Sequence, residues 1–226
     1  MAQPNINPIQ WYEGMLLMPQ HFQQADIRME SLLTYYASKM SPFFWGLCQI
    51  KIDPALLTAG TFRLLELEAI MPDGLLISEM ASTLQLDLLP FREQLQETPH
   101  FIYLCVPYLR ENAADLSGDL PRYASHMNTR IVDINTGDQP IDIPRLMPNL
   151  SLQLGQEPPP HYTAMPIAQV SYDTKSFFVT DYVAPTVQAA VLSDLWQLCN
   201  QVALELRRKL SYLQQKVQSG GGACDH

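Results

Sequence analysis

Between His21 and Ser38 apolar side chains return at helical intervals: Phe22, Ala25, Met29, Leu32, Leu33 and Tyr36, with Gln23, Gln24, Arg28 and Glu30 largely between them. That period predicts one amphipathic helix over about 21–38. Pro42 stops it, and Phe43, Phe44 and Trp45 form a hydrophobic corner before Gly46 turns the chain. From Leu47 to Thr180 the period falls to two. In Thr83–Leu88 the residues Leu84, Leu86 and Leu88 alternate with Thr83, Gln85 and Asp87, and Leu150, Leu152 and Leu154 do the same against Ser151 and Gln153. These read as strands with one wet face, and Phe101–Val106 and Ile131–Ile134 read as further strands. Between Phe62 and Ala69 the apolar register slips from Phe62 and Leu64 to Leu65 and Leu67, which calls for a bulge or a strand covered on both faces.

Turn chemistry supports the same picture. Pro72-Asp73-Gly74 separates two apolar runs and supplies a preset dihedral followed by a residue that tolerates positive φ, so it reads as a hairpin turn. Many short strands with such turns, and 18 prolines, predict a mainly β chain: a β-sandwich with an N-terminal helix and a long C-terminal helix. Glu157-Pro158-Pro159-Pro160 reads as a stiff exposed connector. Pro4 and Pro8 flank a polar arm expected to lie extended over a neighbouring surface and to need a partner for order.

After Pro185 the period lengthens again. Val191, Leu195, Leu198, Val202, Leu206, Leu210, Leu213 and Val217 follow spacings of four, three, four, four, four, three and four. This is a narrow seam of the kind that packs helix on helix, and alone it has nothing to bury it. Gly220-Gly221-Gly222 ends it. The expected organisation is a shoulder domain with arm and helix over 1–184, a first neck helix over 185–218, and a glycine-rich end over 219–226.

Charge and chemistry narrow the function. Asp and Glu outnumber Lys and Arg by 23 to 14, a formal net charge of −9, which disfavours phosphate backbones and anionic lipid as partners. Cys48, Cys105, Cys199 and Cys224 are widely spaced, and neither a disulfide framework nor a zinc site is indicated. No apolar run approaches a membrane span and Met1–Gln10 lacks the features of a signal peptide, so a cytoplasmic location is expected. The string Asp133-Ile134-Asn135-Thr136-Gly137-Asp138 places oxygen ligands at alternate positions, but the bidentate Glu of a calcium loop is missing, and a turn between strands is the better reading. Cys224-Asp225-His226 sits on a terminus that could not hold a catalytic set in place. His21, at a helix start, reads as a structural hydrogen-bonding residue. No hydrolase or nucleotide-binding motif occurs, and no enzyme, cofactor or metal is expected. Trp11, Tyr12, Phe43, Phe44 and Trp45 could form a stacking platform for sugar, but core and interface packing is favoured.

The string Trp11-Tyr12-Glu13-Gly14-Met15-Leu16-Leu17-Met18-Pro19-Gln20-His21-Phe22-Gln23-Gln24-Ala25-Asp26 resembles the opening signature of the TssK family of type VI secretion baseplate subunits. Shorter resemblances follow at Phe44-Trp45-Gly46, Pro72-Asp73-Gly74, Arg122-Tyr123, Leu150-Ser151-Leu152, Met165-Pro166-Ile167-Ala168 and Tyr182-Val183-Ala184-Pro185. The resemblance implies a cytoplasmic homotrimer with a shoulder similar to that of phage receptor-binding proteins, a helical neck and a C-terminal head. It implies that the shoulder docks on the TssF and TssG wedge and that membrane-complex proteins are met only through a head, which lies beyond where this chain stops. The implied role is a non-enzymatic structural adaptor, with no nucleic acid and no direct membrane insertion. The residues expected at protein interfaces are Trp11, Glu13, Met15, Pro19 and Phe22, and the seam Val191, Leu195, Leu198, Val202, Leu206, Leu210 and Leu213. The competing reading is a carbohydrate- or receptor-binding module of the phage type.

Overall fold

A computed structural model describes residues 6–79, 84–109, 116–127, 130–188 and 194–220. They form two compact units, Met1–Val187 and Gln188–His226. In the first, helix α1 (Pro19–Met40) precedes β1 (Gly46–Ile52), the short α2 (Pro54–Thr58), β2 (Thr61–Ile70), β3 (Leu76–Glu79) and β4 (Gln85–Asp87). Next come α3 (Arg92–Glu97), β5 (His100–Pro107), β6 (Tyr123–His126), β7 (Arg130–Ile131), β8 (Ile141–Asp142) and β9 (Arg145–Pro148). β10 (Ser151–Gly155), β11 (Tyr162–Asp173) and β12 (Ser176–Val179) complete it, and α4 (Asp194–Gly220) is the second unit.

Two sheets carry the first unit. One runs β1-β2-β3 with β4 also pairing β2, and the other runs β10-β5-β11-β12. Phe62, Leu64, Leu67, Ala69 and Ile77 of the first sheet share one core with Ile102, Leu104, Val106, Met165 and Val170 of the second. This is the expected β-sandwich, and the burial of its apolar faces is its principal source of stability. The register slip in β2 has the anticipated cause: Lys51 pairs Glu66 while Ile52 pairs Leu64, so Leu65 is an extra residue that re-phases the strand. The same pair of strands also slips between Leu47 and Gln49, and a further bulge, between Pro166 and Ala168 of β11, falls beside the proline, where the ladder is already interrupted.

Local chemistry sets the ends of the elements. Asp53 caps α2, its Oδ1 accepting from the Ala55 and Leu56 amides at 3.0 and 3.2 Å. Gly74, at φ +90°, closes the β2–β3 turn, its amide donating to Met71 O at 2.8 Å. At the same end of the sheet Gly46, paired with Ile70, adopts φ +141°, and Leu47 forms a parallel bridge with Thr186 on the way out of the sandwich.

Some sequence expectations change. α1 runs two residues further at each end than the pattern marked, because Pro19 is well suited to the first helical position. The strand expected over Ile131–Ile134 ends at Ile131; Asp133 Oδ1 accepts from the Asn135 amide at 2.7 Å and turns the chain, leaving Ile134 95% exposed. The strand expected over Thr83–Leu88 covers Gln85–Asp87, with Thr83 outside the described residues. Between Tyr123 and Pro148, β6 pairs with β9 and β7 with β8 in a two-stranded ribbon, the ribbon 123–148, whose described residues contribute nothing to the shared core.

Candidate protein interaction surface

The opening string is built from local structural roles. Gly14 takes φ +82°, a left-handed turn with open space around it, so glycine serves conformation there rather than room. Pro19 begins α1, and His21 Nδ1 accepts from the Met18 amide at 3.0 Å. That bond satisfies a donor at the helix start and leaves the ring proton on Nε2. The His21 ring lies 5.9 Å from that of Trp11, tilted by 45°. Arg28 Nε donates to Ile6 O at 3.0 Å and ties the arm to its own helix, where the sequence suggested a neighbouring surface.

Once the string is folded, its large side chains remain available. Trp11 is 53% exposed and Phe22 57%; Glu13 and Pro19 are exposed and Met15 is half-buried. The sandwich of the same chain does not cover them.

Helix α1 explains why. Ile27, Ser31, Thr34 and Ser38 lie along one edge and are half-buried, and Thr34 approaches so close to Gly74 that a Cβ there would have no room. The opposite edge carries Phe22, Met29, Leu33, Tyr36 and Met40, all exposed, with Met40 at 86%. A stripe chosen by hydrophobic period would ordinarily face the core. Here Thr34 meets the sandwich, its small side chain permitting close approach, and of the predicted apolar stripe only Leu32 is half-buried while the rest faces away.

Taken by itself, α4 shows the same property. Leu195 is half-buried, while Leu198, Val202, Leu206, Leu210, Leu213 and Val217 are exposed. Val191 lies outside the described residues. The polar face is held locally, for example by Arg208 Nη1 donating to Glu205 Oε1 at 3.0 Å.

The aromatic residues considered as a platform have separate surroundings. Trp45 packs against the core, Phe44 is half-buried, Phe43 is exposed, and Trp11 meets His21. Asp133-Asn135-Asp138 is a turn closed by Gly137 N donating to Asp133 O at 2.8 Å. Among the described residues no three His, Cys, Asp or Glu gather to hold a metal ion. Cys105 is buried in β5, and that burial pushes its thiol up to about 12, away from the nucleophilic thiolate. Cys224 and His226 lie outside the described residues.

The sequence reading missed one polar cluster. Arg122 is almost wholly buried; its Nη2 donates to Asp73 Oδ2 at 2.8 Å and its Nη1 to Pro107 O at 2.6 Å. Thr163 Oγ1 donates to the same Asp73 oxygen at 3.1 Å. Burial pulls the guanidinium pKa down, but Asp73 and the hydrogen bond to Tyr123 lift it further, so Arg122 stays charged. Three segments are thereby tied: the β2–β3 turn, the root of the ribbon and β11. A buried arginine requires an acid, but nothing in the sequence says that the acid is Asp73.

Comparison with known proteins gives a consistent set. A family model described as Bacterial Type VI secretion, VC_A0110, EvfL, ImpJ, VasE matches residues 21–225. A stretch of 68 residues is 40% identical to the type VI secretion system baseplate component TssK1 of Pseudomonas aeruginosa, covering 30% of this chain and 15% of that protein. The chain in the baseplate complex from the type VI secretion system is similar with a TM-score of 0.77 at 19% identity, over 98% of this chain and 51% of that one. The TssK-TssF-TssG baseplate subcomplex gives 0.73 at 22% identity, over 95% and 72%. The crystal structure of TssK gives 0.67 at 25% identity, over 78% and 41%. This chain thus spans between 41% and 72% of these solved chains, and its match to the curated relative covers 15% of that protein.

Proposed function

Because the chain belongs to the bacterial type VI secretion family of VC_A0110, EvfL, ImpJ and VasE, we propose that it is a non-enzymatic structural adaptor of the secretion baseplate. In this reading the sandwich docks, as part of a homotrimer, onto a wedge made of TssF- and TssG-type proteins, in the cytoplasm. Trp11, Glu13, Met15, Pro19 and Phe22, continued by the outward stripe of α1, form the docking surface. The seam Val191, Leu195, Leu198, Val202, Leu206, Leu210 and Leu213 joins the copies. Contacts with membrane-complex proteins belong to a head domain rather than to these residues.

The observation that carries the reading is the outward stripe of α1. The sandwich closes its core without it: among the described residues Phe22, Met29, Leu33, Tyr36 and Met40 are exposed and belong to no part of that core. A run of large apolar side chains beside exposed Trp11 is the composition of an interface centre. Co-purification of the chain with TssF- and TssG-type proteins, followed by mass measurement of the complex, tests it. The expected result is capture that is lost when Phe22, Leu33 and Tyr36 are together replaced by Ser. Undiminished capture by that variant would move the docking surface elsewhere.

A further inference from the structure

Helix α1 and the ribbon 123–148 share no strand, yet both rest on one three-residue turn. Thr34 of α1 seats directly on Gly74, leaving no space for a side chain there. The preceding residue holds the ribbon by its root. Asp73 Oδ2 accepts from Arg122 Nη2 at 2.8 Å, and the Arg122 carbonyl accepts from the Asn149 amide at 2.9 Å, which closes the two ends of the ribbon on each other. We propose that Pro72-Asp73-Gly74 is a relay that fixes the poses of helix α1 and the ribbon together, so that displacing either one shifts the other.

The turn has little slack to absorb a push. Gly74 N donates to Met71 O at 2.8 Å and Met71 N to Leu75 O at 2.9 Å, while Asp73 Oδ1 takes the Leu75 amide at 3.2 Å. Moving Thr34 therefore moves Gly74, and Asp73 with it. The Arg122 side chain follows, because a charge buried to that extent does not part from its carboxylate cheaply. Coupling of this kind travels through contiguous contacts and acts equally in both directions. The outward stripe of α1 is the edge opposite Thr34, so whatever binds there can lean on the helix without breaking the contact between Thr34 and Gly74. The relay is independent of which partner that is.

Amide exchange on the full chain, read by mass spectrometry, tests it. Thr34→Ala removes the seat and leaves the ribbon untouched; exchange in Tyr123–His126 and Arg145–Leu146 is expected to rise about threefold or more, with β5 and β11 unchanged. Arg122→Lys keeps the charge but loses the fork, and exchange in Ser31–Ser38 of α1 is expected to rise by a similar factor. In the double variant the two effects should not add, since both act through the same turn. Effects confined to α1 in the first variant and to the ribbon in the second would overturn the relay. If β5 exchange reveals that Arg122→Lys has loosened the whole sandwich, the ribbon response to Thr34→Ala decides alone.

Discussion

Gly46 and Pro185 touch backbone to backbone: a Cβ added to Gly46 would fall 2.8 Å from the Pro185 carbonyl oxygen. That carbonyl accepts from the Leu47 amide at 2.9 Å, and Leu47 O accepts in turn from Val187 N at 3.1 Å. The first residue of β1 and the strap leaving the sandwich are thus locked as one piece. Gly46→Ala meets both the contact and a φ of +141°, and is expected to cost about 1–3 kcal/mol. Chemical denaturation reads it as a lowered midpoint; a midpoint equal to that of the parent would mean that the strap yields.

Arg122→Met removes one partner of a pair whose side chains are 5% and 29% exposed. Sealed pairs lose about 3–5 kcal/mol when broken, but the Asp73 carboxylate retains some water, so about 2–3 kcal/mol is expected. The loss should exceed that of Lys51→Met, whose ion pair with Glu66 is well exposed on both sides. Equal losses in the two variants would deny the Arg122 cluster its structural weight.

Thiol reactivity should follow burial. At pH 8 Cys199, exposed on α4, is expected to alkylate readily, Cys48 slowly, since burial and then Glu68 push its thiol up, and Cys105 only on unfolding. The Cys105 thiol ionises near 9 when unfolded and at about 12 when folded. Folding therefore holds the proton more tightly, so its contribution to stability is complete below about pH 9 and is lost as pH rises towards 12. Peptide-level alkylation across a denaturant series checks the order, and early labelling of Cys105 in native buffer would contradict it.

Replacing Leu198, Leu206 and Leu213 together by Ser takes three large apolar side chains out of the exposed face of α4. Burying each is worth about 1.5–3 kcal/mol, so the self-association proposed for this helix should weaken by orders of magnitude while the sandwich stays folded. Light scattering and near-ultraviolet circular dichroism separate the two effects. An unchanged association state would place the contact between copies elsewhere.

Chelators should leave the melting temperature unchanged, because Asp133, Asn135 and Asp138 are engaged in forming a turn. A fall of several degrees with EDTA would direct attention to those three residues first.

Periodicity revealed what repeats. The helices, the alternating strands, the Leu65 bulge and the Pro72-Asp73-Gly74 turn all leave marks within a few neighbouring residues. It could not reveal which face of α1 meets the sandwich. Hydrophobic period marks the side of a helix that needs cover, whereas the contact with the sandwich is made from the other side, by Thr34 on Gly74. Nor could it join Asp73 to Arg122, since two charged residues 49 positions apart advertise no partner. The residues proposed for an interface stand in a recognisable string, but the local role of several of them was not legible in it. His21 caps a helix and Gly14 makes a turn, so part of the signature holds the arm in shape and only the remainder is left to meet a partner.

The bond from the Asn149 amide to the Arg122 carbonyl means that residues 123–148 leave the sandwich and return to the point of departure. To the two sheets they are an insertion whose length is immaterial: no strand of either sheet needs them, and lengthening a closed excursion costs little additional loop entropy. Mutation can therefore rewrite that excursion freely while the frame stays constant. Its surface can change its chemistry without changing how the two sheets fold.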